Sequence, residues 1–239
     1  MYHGCVASAV PREVTDGVQL LAVGWPEPIG SNAYLVDDGD LTLVDPGLPY
    51  NRPRLRSQLA DAEHELTDLD RVLVTHFDLE HSGGLGLLAP EFDGPAYIGQ
   101  ADLAIANGGS LPNPTHHKGI YHRLVRSLVG LPEDVRVEPV TDGDEIGGFV
   151  ACHTPGHNPG HFVYYHEGQS AAFLGDLVWE ENGTLTPPFW LDSYDMRGVR
   201  ESIRDLTERV PPFEVAAVAH GQPLLEDGRK ALLDCSARL

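Results

Sequence analysis

Residues 71–81 read Arg71-Val72-Leu73-Val74-Thr75-His76-Phe77-Asp78-Leu79-Glu80-His81. The apolar run that ends at Thr75 predicts a short buried strand. The polar cluster that follows carries four side chains able to bind a metal ion within six residues: His76, Asp78, Glu80 and His81. A strand that runs directly into such a cluster predicts a metal site at the end of that strand.

Three further side chains of the same chemistry follow predicted strands. His157 lies in Thr154-Pro155-Gly156-His157 after the strand 149–153, Asp176 follows a strand that ends at Gly175, and His220 follows one that ends at Ala219. Side chains at the same end of neighbouring strands converge on one point, so we expect them to meet the 76–81 cluster. Mixed histidine and carboxylate ligands suit zinc, iron or manganese better than magnesium or calcium.

The order of the predicted elements favours an α+β fold in one domain, residues 1–239. Strands and helices alternate through two similar halves, and each half contains antiparallel hairpins, which argues against a doubly wound parallel sheet. Helices are expected over about Arg52–Leu66 and Asp195–Val210, where apolar side chains recur on one face. Two sheets packed together with helices outside fit this pattern.

Composition limits the function classes. The 239 residues include 16 basic and 36 acidic side chains, for a formal net charge of -20, which disfavours binding to nucleic acid or to an anionic membrane. No apolar run approaches the length of about 18 residues that a transmembrane helix needs, and no signal peptide pattern is evident. Three widely separated cysteines show no metal-binding or disulfide spacing. We therefore expect a cytoplasmic protein that acts on a small molecule.

As a set, these motifs resemble those of the metallo-β-lactamase-fold hydrolases, including the glyoxalase II and lactonase types. That family's signature is H-x-H-x-D-H, followed by a T-P-G-H turn, a G-D turn and a last histidine. The resemblance covers about residues 14–225 and includes Leu43-Val44-Asp45-Pro46-Gly47 before the first helix. It implies a four-layer αββα sandwich. A glyoxalase II identity is disfavoured, because only 19 residues follow His220 and that type appends a glutathione-binding domain there.

The resemblance also implies roles for individual residues. His76, Asp78 and His157 would hold a first metal ion, Glu80, His81 and His220 would hold a second, and Asp176 would bridge the two. Asp45 would orient a ligand histidine, and His161 would support the T-P-G-H turn. This chain departs from the signature at two positions, because Asp78 replaces its second histidine and Glu80 replaces its aspartate.

The implied function is that of a dinuclear hydrolase with two divalent ions, zinc foremost and iron or manganese as alternatives. A metal-bridging hydroxide would attack the substrate carbonyl, with Asp176 and Glu80 as the catalytic carboxylates. Three carboxylates instead of the usual two make the centre formally neutral, which favours esters, thioesters or lactones over phosphodiesters. Two alternatives stay open: a non-catalytic relative, and a di-iron oxidoreductase that needs a separate redox partner.

Two loops and an insertion are further candidates for the rim of the site. Trp25, Phe189 and Trp190 lie in apolar loops that are expected to contact either the substrate or a second subunit of a homodimer. The insertion 107–130 is rich in Gly, Pro and His, and it includes His116, His117 and His122. It is interpreted as a mobile lid or as a helical cap that brings a residue to the cleft, with loop histidines exposed to solvent.

Overall fold

A computed structural model describes residues 10–21, 23, 30–89, 91–109, 111, 113, 115–128 and 130–239. The predicted substrate residue Trp25 lies outside these ranges. Within them, no helix is both apolar enough and long enough to cross a bilayer.

The first sheet has seven strands, and their order in space follows their order in the chain. They are β1 Arg12–Thr15, β2 Val18–Leu21, β3 Ala33–Asp37, β4 Leu41–Val44, β5 Arg71–Val74, β6 Pro95–Gly99 and β7 Arg136–Val140. The strands β1 to β4 pair antiparallel, whereas β4 to β7 pair parallel. Parallel neighbours require crossover connections, and these connections carry the helices of this half.

The second sheet has five strands in the order β14-β11-β10-β9-β8. The remaining strands are β8 Glu145–Ile146, β9 Phe149–His153, β10 Phe162–His166, β11 Ala171–Gly175, β12 Trp179–Glu181, β13 Thr184–Thr186 and β14 Val215–Val218, with β12 and β13 forming a separate hairpin. The strand β14 returns parallel to β11 after a helical crossover. Both strands therefore end at the same edge of the sheet.

The described part of the chain contains seven α-helices, of which the last follows the final strand: α1 Arg52–Asp61, α2 Leu79–Ser82, α3 Leu85–Leu88, α4 Gln100–Ala106, α5 His117–Leu128, α6 Met196–Arg209 and α7 Gly228–Ala237. Two short 3₁₀ turns occupy Leu66–Asp68 and Trp190–Asp192. The predicted second long helix is present as α6, and the Asp195 side chain caps it by accepting the Arg197 N–H at 2.9 Å. The predicted helix 52–66 ends early, because Glu63 adopts a left-handed conformation with φ of 65°.

The strands contribute to three apolar layers. In β5, Val72 and Val74 face the helices of the first half, while Leu73 faces the second sheet. Between the sheets, Leu73 lies in one cluster with Tyr164 and Phe173. A third cluster packs the outer face of the second sheet against α6, which contributes Ile203. The order helix, sheet, sheet, helix confirms the predicted αββα sandwich.

Candidate metal centre

The polar side chains singled out in the sequence lie where strands end. Asp45 follows β4, the 76–81 cluster follows β5 after one residue, and Asp176 follows β11 directly. His157 lies in the turn after β9, and His220 comes shortly after β14. The two sheets therefore bring loops from both halves of the chain to one edge of the sandwich.

The donor atoms of the seven predicted ligands are close enough to hold metal ions. They form three overlapping groups in which all donors lie within 4.8 Å of one another: His76, Asp78 and His157; His76, His81 and Asp176; and Glu80, His81 and His220. Nearly all of these side chains are buried, with only Glu80 and His220 partly accessible. The structure therefore brings together every residue for which a ligand role was expected.

Five donor atoms in this cluster are buried and have no hydrogen-bond partner among the described residues. They are Nε2 of His76, His81 and His220 and both carboxylate oxygens of Asp176. A buried polar atom without a partner is costly and needs an explanation, such as an ion. Neutral imidazole and carboxylate are also the donor types that bind zinc, iron and manganese. The residues present therefore fit a divalent metal ion.

Asp45 fixes the orientation of His81. Its Oδ2 lies 2.9 Å from His81 Nδ1, while its Oδ1 accepts the Thr75 backbone N–H at 2.8 Å. The hydroxyl of Thr75 donates to the same Oδ2 at 2.8 Å. Because Nδ1 faces a carboxylate, the Nε2 lone pair of His81 is directed into the centre. Asp45 itself has a φ of 55°, an uncommon conformation for a non-glycine residue.

His161 supports both metal-facing turns of the second sheet. Its Nε2 accepts the backbone N–H of Asp176 at 3.0 Å, and its Nδ1 lies 2.8 Å from the hydroxyl of Thr154. The residue before Asp176 must be small, because a Cβ on Gly175, whose φ is +51°, would lie 2.6 Å from His161 Nε2. His161 thus acts on Asp176 rather than pointing a free donor at the centre.

Within the insertion, the helix α5 brings a lysine to the centre. Lys118, in the first turn of α5, donates from Nζ to Asp78 Oδ2 at 2.5 Å and to the Asp192 carbonyl at 2.7 Å. The same Nζ lies 3.0 Å from His157 Nε2. Lys118 was not among the expected site residues, although it is one of only two lysines in the chain. That scarcity was its only signal in the sequence.

The helix α5 adds two more side chains to the site. His122 is completely buried, with Nε2 at 2.8 Å from Asp78 Oδ1 and Nδ1 at 2.8 Å from the Tyr194 hydroxyl. Tyr121 donates to Glu80 Oε2 at 3.2 Å. The expectation that the histidines of the insertion are exposed is therefore wrong for His122, because the helix turns it inward onto a buried carboxylate.

A buried carboxylate ties the two metal-facing loops together. Asp102, in α4, accepts the backbone N–H of Phe77 at 2.8 Å and that of Gly160 at 2.7 Å. Asn158 donates from Nδ2 to Asp102 at 3.2 Å and to Asp78 at 2.8 Å. Neither residue belongs to a metal-ligand motif, so the sequence offered no signal for this role.

Burial and neighbouring charges shift the pKa values in the metal-free centre. Burial lowers the pKa of His81, but the carboxylates of Asp45 and Asp176 outweigh it and raise that pKa to about 10. Burial and the nearby Asp78 raise the pKa of Glu80. Burial lowers the pKa of Lys118, but the carboxylates of Asp78, Asp192 and Asp176 together outweigh burial and raise that pKa. The centre thus concentrates negative charge that a cation would balance.

The predicted substrate loop 186–194 lies beside the centre, and its aromatic side chains are exposed. Phe189 and Trp190 are 54% and 59% accessible, and their ring centroids are 5.8 Å apart. The Trp190 ring also contacts His117 edge-on, with centroids 6.0 Å apart. Asp192 in the same loop binds Lys118. The exposed rings of Phe189 and Trp190 are therefore connected to the centre through the 3₁₀ turn Trp190–Asp192.

Comparisons with known proteins agree with this arrangement. The family model described as "Metallo-beta-lactamase superfamily" matches residues 26–220. The chain is 26% identical over 206 residues to "Probable metallo-hydrolase YybB" of Bacillus subtilis (strain 168), an alignment that covers 84% of both chains.

Solved structures show the same fold. The family protein TTHA1429 of Thermus thermophilus matches with a TM-score of 0.71 at 23% identity, over 95% of this chain and 80% of that one. TTHA1623, solved in a di-iron-bound form, matches with a TM-score of 0.63 at 25% identity, over 84% of this chain and 92% of that one. From the family match over most of its length, and from its fold and clustered donors, this chain belongs to the metallo-beta-lactamase superfamily.

Proposed function

We propose that this protein is a metal-dependent hydrolase that cleaves esters, thioesters or lactones of small molecules. One observation carries the proposal above the others: the five buried donor atoms of His76, His81, His220 and Asp176 that have no hydrogen-bond partner among the described residues. Membership of a metallohydrolase superfamily supports the same class of reaction.

The proposed ligands fall into two adjoining positions. His76, Asp78 and His157 form the first position, and Glu80, His81 and His220 form the second. Asp176 lies between them, with its Oδ1 at 3.4 Å from His220 Nε2 and its Oδ2 at 3.6 Å from His157 Nε2. Support is strongest for the second position, where the histidine Nε2 atoms have no hydrogen-bond partner in the described part of the chain.

A divalent ion bound there would supply an activated water near neutral pH and would polarise a substrate carbonyl. Residues of the chain orient the ligands of this ion. Asp45 holds His81 in the tautomer that leaves Nε2 free, and His161 holds the backbone of Asp176. The oxygens of Asp176 have no hydrogen-bond donor among the described residues, so both are available to a metal ion, and Asp176 is the first catalytic candidate. Glu80 is the second catalytic candidate, and Tyr121 positions it.

The charge of the site supports a neutral substrate. Asp78, Glu80 and Asp176 place three carboxylates within the donor cluster, and the whole chain carries a formal charge of -20. Because these carboxylates offset the charge of the bound ions, the centre would attract an anionic phosphodiester only weakly, whereas an uncharged ester, thioester or lactone does not depend on such attraction. The exposed Phe189 and Trp190 offer apolar contact to such a substrate.

Zinc is the metal we propose first, with iron or manganese as alternatives. Carboxylate-rich centres accommodate iron and manganese as well as zinc. The structural neighbour solved with two irons supports iron as the leading alternative.

The test compares turnover of a neutral thioester, a lactone and a phosphodiester by protein loaded with each metal. We expect the neutral substrates to be cleaved faster, and Asp176→Asn to reduce their turnover at least about 100-fold because the free carboxylate is lost. Asp234→Asn, an exposed aspartate on α7, serves as the control. Faster phosphodiester cleavage would contradict the substrate class. Iron-dependent oxygen consumption without hydrolysis would favour the oxidoreductase alternative, and a protein that binds no metal would favour the non-catalytic one.

A further inference from the structure

The two predicted metal positions differ in how many of their donors are already engaged: Asp78 and His157 are engaged at the first position, where His76 Nε2 is not, whereas Glu80 is the engaged residue of the second. Nε2 of His81 and His220 and both oxygens of Asp176 have no hydrogen-bond partner among the described residues. In Asp78, by contrast, both carboxylate oxygens already have hydrogen-bond partners. Its Oδ1 has His122 Nε2 and Asn158 Nδ2, each at 2.8 Å, and its Oδ2 has Lys118 Nζ at 2.5 Å.

The Lys118 ammonium lies at this first position. An ammonium group has three N–H donors, and Nζ has three acceptors at hydrogen-bond distance: Asp78 Oδ2, His157 Nε2 and the Asp192 carbonyl. Two of these atoms belong to the group formed by His76, Asp78 and His157. His157 Nδ1 faces Ser193 Oγ at 3.3 Å, which leaves the Nε2 lone pair to the ammonium rather than to a metal ion.

The lysine side chain is buried and is carried by a helix that is itself bound to the centre. It is only 2% exposed, and it lies in the first turn of α5, whose Tyr121 and His122 also bind residues of the 76–81 cluster. The Asp192 carbonyl belongs to a 3₁₀ turn and does not depend on a metal. To make room for an ion, the chain would have to move a buried ammonium away from all its acceptors, which is unfavourable.

We propose that the Lys118 ammonium takes the place of the first metal ion, so that the chain holds a single divalent ion among the free donors of His76, His81, Asp176 and His220. This inference rests on the proposed metal dependence of the function. The ammonium group then supplies one positive charge, instead of the two of a divalent ion, at the position nearest Asp78 and Asp192. The two-ion centre expected from the resemblance then becomes a centre of one ion and one lysine.

The experiment counts metal ions per chain after saturation with zinc and removal of free metal, by elemental mass spectrometry and calorimetric titration. Three proteins are compared: the wild type, Lys118→Met and Lys230→Met. Lys230 is the other lysine of the chain and is exposed on α7, so it is a matched control. We expect one ion in the wild type and in Lys230→Met, and two ions in Lys118→Met. Two ions in the wild type, or one in Lys118→Met, would overturn the proposal.

A second measurement uses only the wild type, so it does not depend on whether a variant folds. Reductive methylation of the native wild type, read by peptide mass spectrometry, reports whether each lysine is accessible. We expect Lys230 to react and Lys118 to stay protected, both without zinc and at zinc saturation. If zinc makes Lys118 reactive, the ion displaces the ammonium and the proposal fails.

The outcomes also separate this inference from the proposed function. A wild type that binds two ions and hydrolyses esters would leave the proposed function intact and remove only the role of Lys118. A wild type that binds no zinc, iron or manganese would contradict both. Hydrolysis by a protein with one ion and a protected Lys118 would support both.

Discussion

The carboxylate of Asp45 lies 2.9 Å from Nδ1 of His81, and the two residues come from different loops of the first sheet. The contact sets the tautomer of His81 without occupying the nitrogen that faces the centre. It also explains why Asp45 keeps its left-handed backbone, since both carboxylate oxygens are used by the loop that carries the metal ligands.

Asp45→Asn is expected to weaken metal binding about 10- to 100-fold. The amide can still accept the Thr75 N–H, but its NH₂ group would face His81 Nδ1 and favour the tautomer with hydrogen on Nε2. Competition with a chromophoric chelator measures the affinity. Asp70→Asn is the control, because Asp70 caps the Leu41 N–H in another loop. Equal affinities of wild type and Asp45→Asn would remove this role.

Asp102→Ala is expected to lower the free energy of unfolding by about 2–6 kcal/mol. The substitution leaves the buried N–H groups of Phe77 and Gly160 without an acceptor, at a cost of about 1–3 kcal/mol for each. Chemical denaturation of the metal-free protein gives the value. Asp102→Asn keeps one acceptor oxygen, so its free energy of unfolding should fall by less than that of Asp102→Ala. A larger decrease in Asp102→Asn than in Asp102→Ala would refute the explanation.

Most of the fold could be predicted from the sequence, because strands buried on both faces give continuous apolar runs such as 71–75. The metal-facing residues could also be predicted, since they follow strand ends in recognisable motifs. Lys118, His122 and Asp102 could not, because their roles depend on where α4 and α5 pack. The periodicity of a single helix does not reveal which distant carboxylate it will meet. Glu63 likewise ends α1 through a backbone conformation that its side chain does not signal.

Asp38 and His166 should give a pH-dependent contribution to stability. Asp38 Oδ2 lies 2.8 Å from His166 Nε2. Partial burial raises the pKa of Asp38, but the interactions with His166, the Asp40 N–H and Arg71 together outweigh it and hold that pKa below the usual value of 3.8. A carboxyl group whose pKa is lower in the folded state stabilises the protein at pH values above its unfolded-state pKa. This stabilisation is lost as the pH falls through the folded-state pKa. Because Asp38 is partly exposed and solvent screens its charge, Asp38→Asn should cost only about 0.5 kcal/mol near pH 7, and the cost should shrink below about pH 4.

Denaturation at several pH values tests this, with His166→Asn and the double variant completing a cycle. The coupling between the two residues should be present near neutrality and fade in acid. A coupling that does not change between about pH 7 and pH 3 would argue against an ionised Asp38 as its source.

Trp190→Ala is expected to raise KM for a neutral ester about 10- to 100-fold while leaving kcat and metal content nearly unchanged. Loss of an apolar contact of this size removes about 1.5–3 kcal/mol of binding, and Trp190 binds no donor of the centre. Leu233→Ala, which removes an exposed side chain on α7, is the control. An unchanged KM together with a smaller mass in solution would instead assign this surface to the contact between subunits of a homodimer.

The central claim is that hydrolysis depends on an ion bound by the free donors of the centre. The most direct measurement strips the purified protein of metal, then follows thioester or lactone turnover as zinc, iron or manganese is added back in counted equivalents. We predict no turnover in the stripped protein and a rise that saturates when the bound metal does, with no such rise in His220→Ala. Full turnover by the stripped protein, or none after the centre is filled with each of these metals, would contradict the account.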